Sequence, residues 1–288
     1  MLRDLIEVLI SGITNGSVYA IMAAGMTLVY GVTRVFNFAY GSFFTLGGYF
    51  AWIFFSLKFS YLLVFISIIP AMFLIGLSTE KFVIRPLRAR KDWGILSVMA
   101  TLGLALFLDN LYLVIFGPFV KSIPSLFEGF VKIQGLVISI NDIAIVTIAI
   151  FIMVILMLFL SKSRQGLAMR AVAQDMTGAE IVGIPKDRVF AYTFALSSIL
   201  VGAGSMLLAP KYFVSPAGGF DILVKSWVIT VFGGVGSIRG ALFAAFILGI
   251  IEALVGWQLG FTWTLIAWFV VLLFTLIVRP QGLFGTEA

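Results

Sequence analysis

Residues 161–189, SKSRQGLAMRAVAQDMTGAEIVGIPKDRV, form the one long polar, charge-mixed stretch between two runs of membrane-grade apolar sequence. Five basic residues fall within it: Lys162, Arg164, Arg170, Lys186 and Arg188. Orientation in a bilayer follows the Lys and Arg of short loops, so this stretch marks the cytoplasmic side. Its residues from Gln165 to Val182 are helix-compatible and meet Gly183-Ile184-Pro185, a stop signal. Asp175 or Thr177 starts a second short helix, with Glu180 three positions after Thr177 in capping-box spacing. The segment therefore reads as one or two short helices lying across the membrane face, with Met176, Ala179 and Val182 along one side. A merely solvated basic loop would not need those small apolar residues or that ordered stop, which favours a soluble partner that grips the segment.

Working outward, the composition sets the class. With 61% hydrophobic and 11% charged residues and a mean hydropathy of +1.15, the 288-residue chain is no soluble domain, where charged residues run near ~25%. Apolar runs of about 17–25 residues match the ~30 Å hydrocarbon core when helical. The expected fold class is all-α, a polytopic transmembrane bundle of about eight or nine spans. Spans read near 5–33, 40–57, 61–80, 94–117, 141–160, 190–210, a short one at 222–233, then 240–256 and 261–278. With 161–189 inside, 13 of the 19 Lys+Arg fall on the inner side: Arg34, Lys81, Arg85, Arg88, Arg90, Lys91, the five above, Arg239 and Arg279. If 222–233 does not cross, the count is eight and the C-terminus moves outside. The outer loop 118–140 carries Pro118, Pro124, Gly129 and Gly135, which argue against a continuous helix. The opening MLRDLIEVLIS shows no cleavable signal peptide, because Asp4 offsets Arg3 and the chain runs straight into a full-length apolar segment. The expected organisation is a single transmembrane domain over 1–288 with 161–189 as its cytoplasmic loop.

Small residues recur at helical spacing. Gly12, Gly16, Ala20 and Ala24 lie on one face, and Gly47-Gly48, Gly202 with Gly204, and Ala241, Ala245 and Gly249 offer the same elsewhere. Such stripes let helices approach closely in lipid. Two breaks, 34–41 and 233–240, have matching character and suggest a weak internal repeat, with spans 1–3 echoing 7–9. The GGVGS within the second lacks the GxxxxGK[ST] spacing, so it reads as turn chemistry, not a phosphate loop.

Chemistry-bearing residues are few. Asn15 and Asn37 need a partner or water in hydrocarbon, and each fits interhelical hydrogen bonding or a solute path. Asp109 and Glu252 are the intramembrane acids; an ion-coupled secondary carrier would use them, whereas paired or hydrated carboxylates would be structural. Asp221 and Lys225 open the short helix, where Asp221 would cap its N-terminus. There is no Cys, no His, no HExxH and no GxSxG, which excludes thiol, zinc and histidine-based catalysis. The net charge of +6 reads as topology and not as a nucleic-acid surface. Movement of a solute across the bilayer is what remains, with a purely structural subunit as the third class.

The stretches GMTLVYGVTRVFNFAYGSFFTLGGY (25–49), AQDMTGAEIVGIPKDRV (173–189), FALSSILVGAGSMLLAP (194–210), FGGVGSIRGALFAAFILGIIEAL (232–254) and VRPQGLFG (278–285) resemble, in this order, the permease subunit of ATP-binding-cassette importers for branched-chain amino acids, the Liv-type system. The resemblance implies a non-catalytic subunit of the bacterial or archaeal cytoplasmic membrane. It would pair with a second homologous permease, two cytoplasmic ATPase subunits carrying the ATP, and a periplasmic or tethered solute-binding protein. It would bind no cofactor or metal itself. It also places Ala173, Asp175, Met176, Ala179, Glu180, Gly183 and Ile184 on the loop that transmits ATPase motion. Tyr40, Ser42 and Pro185 depart from the family pattern, where a histidine, an acidic residue and an asparagine are usual, and relatives that carry urea or short amides share the fold. A solute path shared with the partner permease is expected to use Asn15, Thr27, Asn37, Phe38, Tyr40 and Ser42.

Overall fold

The computed structural model describes residues 2–133 and 136–285, so Gly135 of the outer loop lies outside the described residues. In chain order the helices are α1 (Leu2–Thr33), α2 (Tyr40–Ser56), α3 (Tyr61–Thr79), a π turn (Glu80–Ile84) running into the short α4 (Arg85–Leu87), and α5 (Trp93–Phe116). Then follow α6 (Ile140–Lys162), α7 (Arg164–Gln174), α8 (Met176–Ile181), α9 (Lys186–Tyr212), α10 (Gly219–Gly233), α11 (Ile238–Gln258) and α12 (Thr264–Val278). Every expected span is thus a helix, because an apolar backbone has no water in lipid to satisfy its N–H and C=O groups and must bond to itself.

Among the described residues, seven helices are long and apolar enough to cross a membrane. The expected eight or nine is not reached by that measure, since α2, at 17 residues, and α10, at 15, are not among the seven. The outer loop is no continuous helix, as its prolines and glycines indicated, and carries a strand pair. Strands β1 (Phe130–Ile133) and β2 (Leu136–Ser139) pair antiparallel in register Phe130↔Ser139 to Ile133↔Leu136. The β-branched Val131, Val137 and Ile138 suit this pleat.

The chain forms two compact units. The first comprises Met1–Thr27, Pro124–Met153 and Val224–Ala288. Here the small-residue stripe of α1 meets that of α11: a Cβ on Gly12 would lie 2.9 Å from Ile250 Cα, and one on Gly249 2.7 Å from Gly16 Cα. Glycine at these positions lets the two backbones touch. Ser237 caps α11 by accepting the Gly240 N–H at 3.2 Å. The tail folds back on this turn, with Leu283 N–H donating to Phe232 C=O at 2.9 Å and Phe284 N–H to Gly233 C=O at 3.1 Å. Gly234 and Gly236 take positive φ in the turn, whereas Gly233 and Gly240 lie in α10 and α11, where their backbones touch.

The second unit comprises Leu28–Ile123 and Val154–Leu223. Its centre is α9, whose most apolar stretch is 83% buried, against 17% for α5. Small residues make this possible, since a Cβ on Gly47 of α2 would fall 2.7 Å from Gly202 Cα, and one on Gly76 of α3 2.5 Å from Ala195 Cα. Helices α2 and α3 thereby pack directly on the α9 backbone. Helix α5 turns most of its apolar side chains outward, among them Ile95, Met99, Leu106 and Val114, as a lipid-facing helix does.

Candidate functional site

The polar segment is built as two helices. Ser163 caps α7 by accepting the Gly166 N–H at 2.9 Å. Gly166, Met169 and Val172 follow at three-residue intervals and are all buried. Gly166 has to be small, because a Cβ there would fall 2.3 Å from the Phe159 carbonyl of α6. Asp175 breaks the helix and restarts it: its own N–H closes α7 on Ala171 C=O at 3.0 Å, while its carboxylate accepts the Thr177 N–H, also at 3.0 Å. The cap of α8 is thus Asp175. The Thr177–Glu180 capping box does not form; Glu180 pairs instead with Lys186 at 2.7 Å.

The end of α8 is a Schellman turn. Ile184 N–H donates to Ala179 C=O at 2.9 Å and Gly183 N–H to Glu180 C=O at 3.0 Å, with Gly183 at φ +85°. Only a residue without Cβ takes that conformation without strain. The expected side of Met176, Ala179 and Val182 is not a surface stripe, because Ala179 is buried, Met176 half-buried and Val182 exposed. What projects is the tip, with Ile181 81% and Val182 75% exposed beside an open Gly183. Ala173 and Ile184 are half-buried, whereas Asp175 and Glu180 are exposed.

The residues expected along a solute path do not form one cluster. Asn15 and Thr27 both lie buried on α1. They are 12 positions apart, about 18 Å along a helix. Thr27 Oγ1 lies 3.1 Å from Thr230 Oγ1 of α10. In the second unit, Asn37, Phe38, Tyr40 and Ser42 gather at the α1–α2 junction. There Asn37 Oδ1 accepts the Ala39 N–H at 3.1 Å, Phe38 N–H donates to Thr101 Oγ1 at 3.1 Å, and Ser42 Oγ donates to Asp109 Oδ1 at 2.7 Å. Tyr40 is fully buried and Phe38 half-buried. Asp109 is therefore held by a helix-to-helix hydrogen bond.

A cluster that sequence reasoning missed lies in the first unit, where α1, α10, α11 and α12 contribute Tyr19, Lys225, Glu252 and Trp268. Lys225 Nζ donates to Glu252 Oε1 at 2.7 Å and to Tyr19 OH at 2.9 Å, and Tyr19 OH lies 3.2 Å from the same Oε1. The ammonium also sits 4.9 Å from the Tyr19 ring centroid and 5.6 Å from that of Trp268. Asp221 lies inside the first turn of α10, which begins at Gly219, so it complements the helix dipole and is not ahead of the helix as a cap. A lysine on α10 and a glutamate 27 residues later announce no pairing by spacing. The signal available was energetic, since a charge on an apolar helix requires a counter-charge.

Against known proteins, the family model described as "Branched-chain amino acid transport system / permease component" matches residues 8–278. The chain is 32% identical to the high-affinity branched-chain amino acid transport system permease protein BraD of Pseudomonas aeruginosa, over 97% of this chain and 95% of that protein. It is likewise 32% identical to the permease protein LivH of Escherichia coli, with the same coverage. To the probable branched-chain amino acid transport permease protein LivH of Methanocaldococcus jannaschii it is 28% identical, over 100% of this chain and 95% of that one. Among solved structures, it is similar to a chain of PsaBC from Streptococcus pneumoniae in complex with Fab, with a TM-score of 0.50, 16% identity and coverage of 98% and 97%, a likeness of fold alone.

Proposed function

Because the chain belongs to the family of branched-chain amino acid transport system permease components, we propose that it is the membrane permease subunit of an ATP-driven importer for branched-chain amino acids. It does no chemistry itself and binds no cofactor. Two cytoplasmic ATPase subunits hydrolyse ATP, a second, homologous permease completes the path, and a periplasmic or tethered solute-binding protein delivers the solute. The whole chain acts as one permease domain in the bacterial or archaeal cytoplasmic membrane, with α2 and α10 completing an eight- or nine-span bundle.

The observation that carries this reading is the folded polar segment between α6 and α9, a pair of capped helices ending in an exposed Ile181-Val182-Gly183 tip. A loop that only joined two spans would not need an N-cap, a mid-segment restart and a Schellman stop. These features give a rigid knob that an ATPase can hold, and closure of the ATPases then biases inward- and outward-open states. Ala173, Asp175, Met176, Ala179, Glu180, Gly183 and Ile184 build that knob. The polar groups at the α1–α2 junction, Asn37 and Ser42, together with Asn15 and Thr27, are proposed to border the solute path.

The test is co-purification of the chain with its ATPase and uptake into proteoliposomes, screened over leucine, isoleucine, valine and urea. ATP-dependent uptake of leucine, isoleucine and valine is expected. Uptake that follows an ion gradient with the ATPase inactivated would refute the reading, and urea uptake alone would overturn the solute class.

A further inference from the structure

Two guanidinium groups from outside the polar segment tie it to the membrane helices. At the α7–α8 break, Asp175 captures the Thr177 N–H that would otherwise bond to the Ala173 carbonyl. That freed carbonyl accepts from Arg34 Nη2 at 3.1 Å. A cation at a helix C-terminus also complements its dipole. Arg34 ends α1 in the left-handed region, φ 59°, uncommon for a residue other than glycine.

The second fastening is ionic. Asp187, near the end of the segment in the first turn of α9 and itself 53% exposed, forms an ion pair with Arg88 Nη1 at 2.9 Å. Arg88 also binds Glu80 through Nη2 and lies 4.8 Å over the ring of Phe190. Glu80 is fully buried. The π turn explains how two arginines reach it: Arg85 N–H closes on Glu80 C=O, an i to i+5 bond that sets Arg85 directly over Glu80, where its Nη2 meets Oε2 at 3.0 Å. Arg88 thus donates through Nη2 to Glu80, while its Nη1 holds Asp187 by charge, in ion-pair contact without hydrogen-bond geometry. A lysine, a single point charge on a flexible stem, cannot meet two carboxylates with two separate nitrogens.

We infer that Arg88, held by Glu80, is a positioning residue that carries displacement of the polar segment into α3. This rests on the reading of α7–α8 as the ATPase-binding element, and adds the residues through which its motion reaches the bundle. Helix α3 already packs on the α9 backbone at Gly76 and Ala195. The Arg88–Asp187 pair locks the ends of the same two helices together, so a pull on the segment moves both. The neighbouring Lys186–Glu180 pair ties α8 to the start of α9 and does not reach α3.

The experiment compares the complete complex in proteoliposomes carrying Asp187→Asn, Arg88→Lys or Asp187→Glu, reading ATPase co-purification, ATP hydrolysis and solute imported per ATP. Asp187→Asn and Arg88→Lys are expected to keep the ATPase bound and hydrolysing while import per ATP falls about fivefold, and Asp187→Glu to restore it. Unchanged import per ATP in the first two variants overturns the inference, as does an equal loss of hydrolysis and import, the mark of a merely structural contact. Gly183→Trp separates the two readings: if it keeps the ATPase bound and uptake intact, the binding-element assignment itself fails.

Discussion

Lys225 and Glu252 allow a prediction whose magnitude follows from their surroundings. Their side chains are 13% and 6% exposed, so both charges have left water. Removing one partner of a buried pair typically costs about 3–5 kcal/mol, because the survivor stays charged and unpaired, whereas replacing both with apolar or neutral groups is close to neutral. The two single changes are not equivalent. In Glu252→Gln the ammonium keeps an amide oxygen, the Tyr19 hydroxyl and the faces of Tyr19 and Trp268, each ring worth about 0.5–2 kcal/mol to a desolvated cation. In Lys225→Met the carboxylate keeps, among the described residues, only the Tyr19 hydroxyl, and its Oε2 has no partner among them to begin with. The expected losses are about 2 kcal/mol for Glu252→Gln, about 4 for Lys225→Met and about 1 for the double variant. Reversible unfolding of the purified chain in mixed micelles, followed by loss of helical circular dichroism, gives the three values and their cycle. If the double variant loses as much as the two single changes summed, the groups do not interact and the reasoning is refuted.

Asp109→Asn keeps an oxygen to accept from Ser42 Oγ, so it is expected to cost less than about 1 kcal/mol and to leave ATP-driven uptake intact; abolished uptake would point to an ion-coupled carrier. Gly41→Val is expected to cost at least about 3 kcal/mol in the same unfolding assay, because a Cβ there would fall 2.2 Å from the Gly219 carbonyl oxygen and neither backbone can withdraw. Gly183→Ala meets no atom within 4 Å but must hold φ +85°, so it is expected to lose only about 1–2 kcal/mol and to keep the ATPase bound in pull-down. Asn37→Ala removes the acceptor for Ala39 N–H and is expected to cost about 1 kcal/mol; if uptake and its dependence on solute concentration are also unchanged, Asn37 does not border the path.

How far the sequence could be read depended on whether a feature was local. The α8 stop was legible in Gly183-Ile184-Pro185, since a left-handed residue followed by proline has few other uses. The stripes of Gly12 and Gly16 and of Ala245 and Gly249 were legible as contact faces, though not that they face each other. The cap of α8 was left open between neighbours: Thr177 with Glu180 satisfied the spacing rule, but Asp175, the other candidate, took the N–H. The hairpin at 130–139 was hidden by Pro118, Pro124, Gly129 and Gly135, which marked the loop as non-helical and said nothing of pairing. The lengths of α2 and α10 could not decide whether they cross, because hydropathy records the apolar run and not the tilt or neighbours of the helix.

The sequence by itself determined that apolar runs become membrane helices, because in lipid a backbone that does not bond to itself has nothing else to bond to. It also determined the polar segment and its glycine stop, whose causes lie within a few residues. Tertiary structure alone decided which charge answers which. Lys225 chose Glu252 and Tyr19, and Arg88 joined Glu80 to Asp187, because a buried ion takes whatever counter-charge helix packing brings within about 3 Å, and packing is a property of faces far apart in the chain.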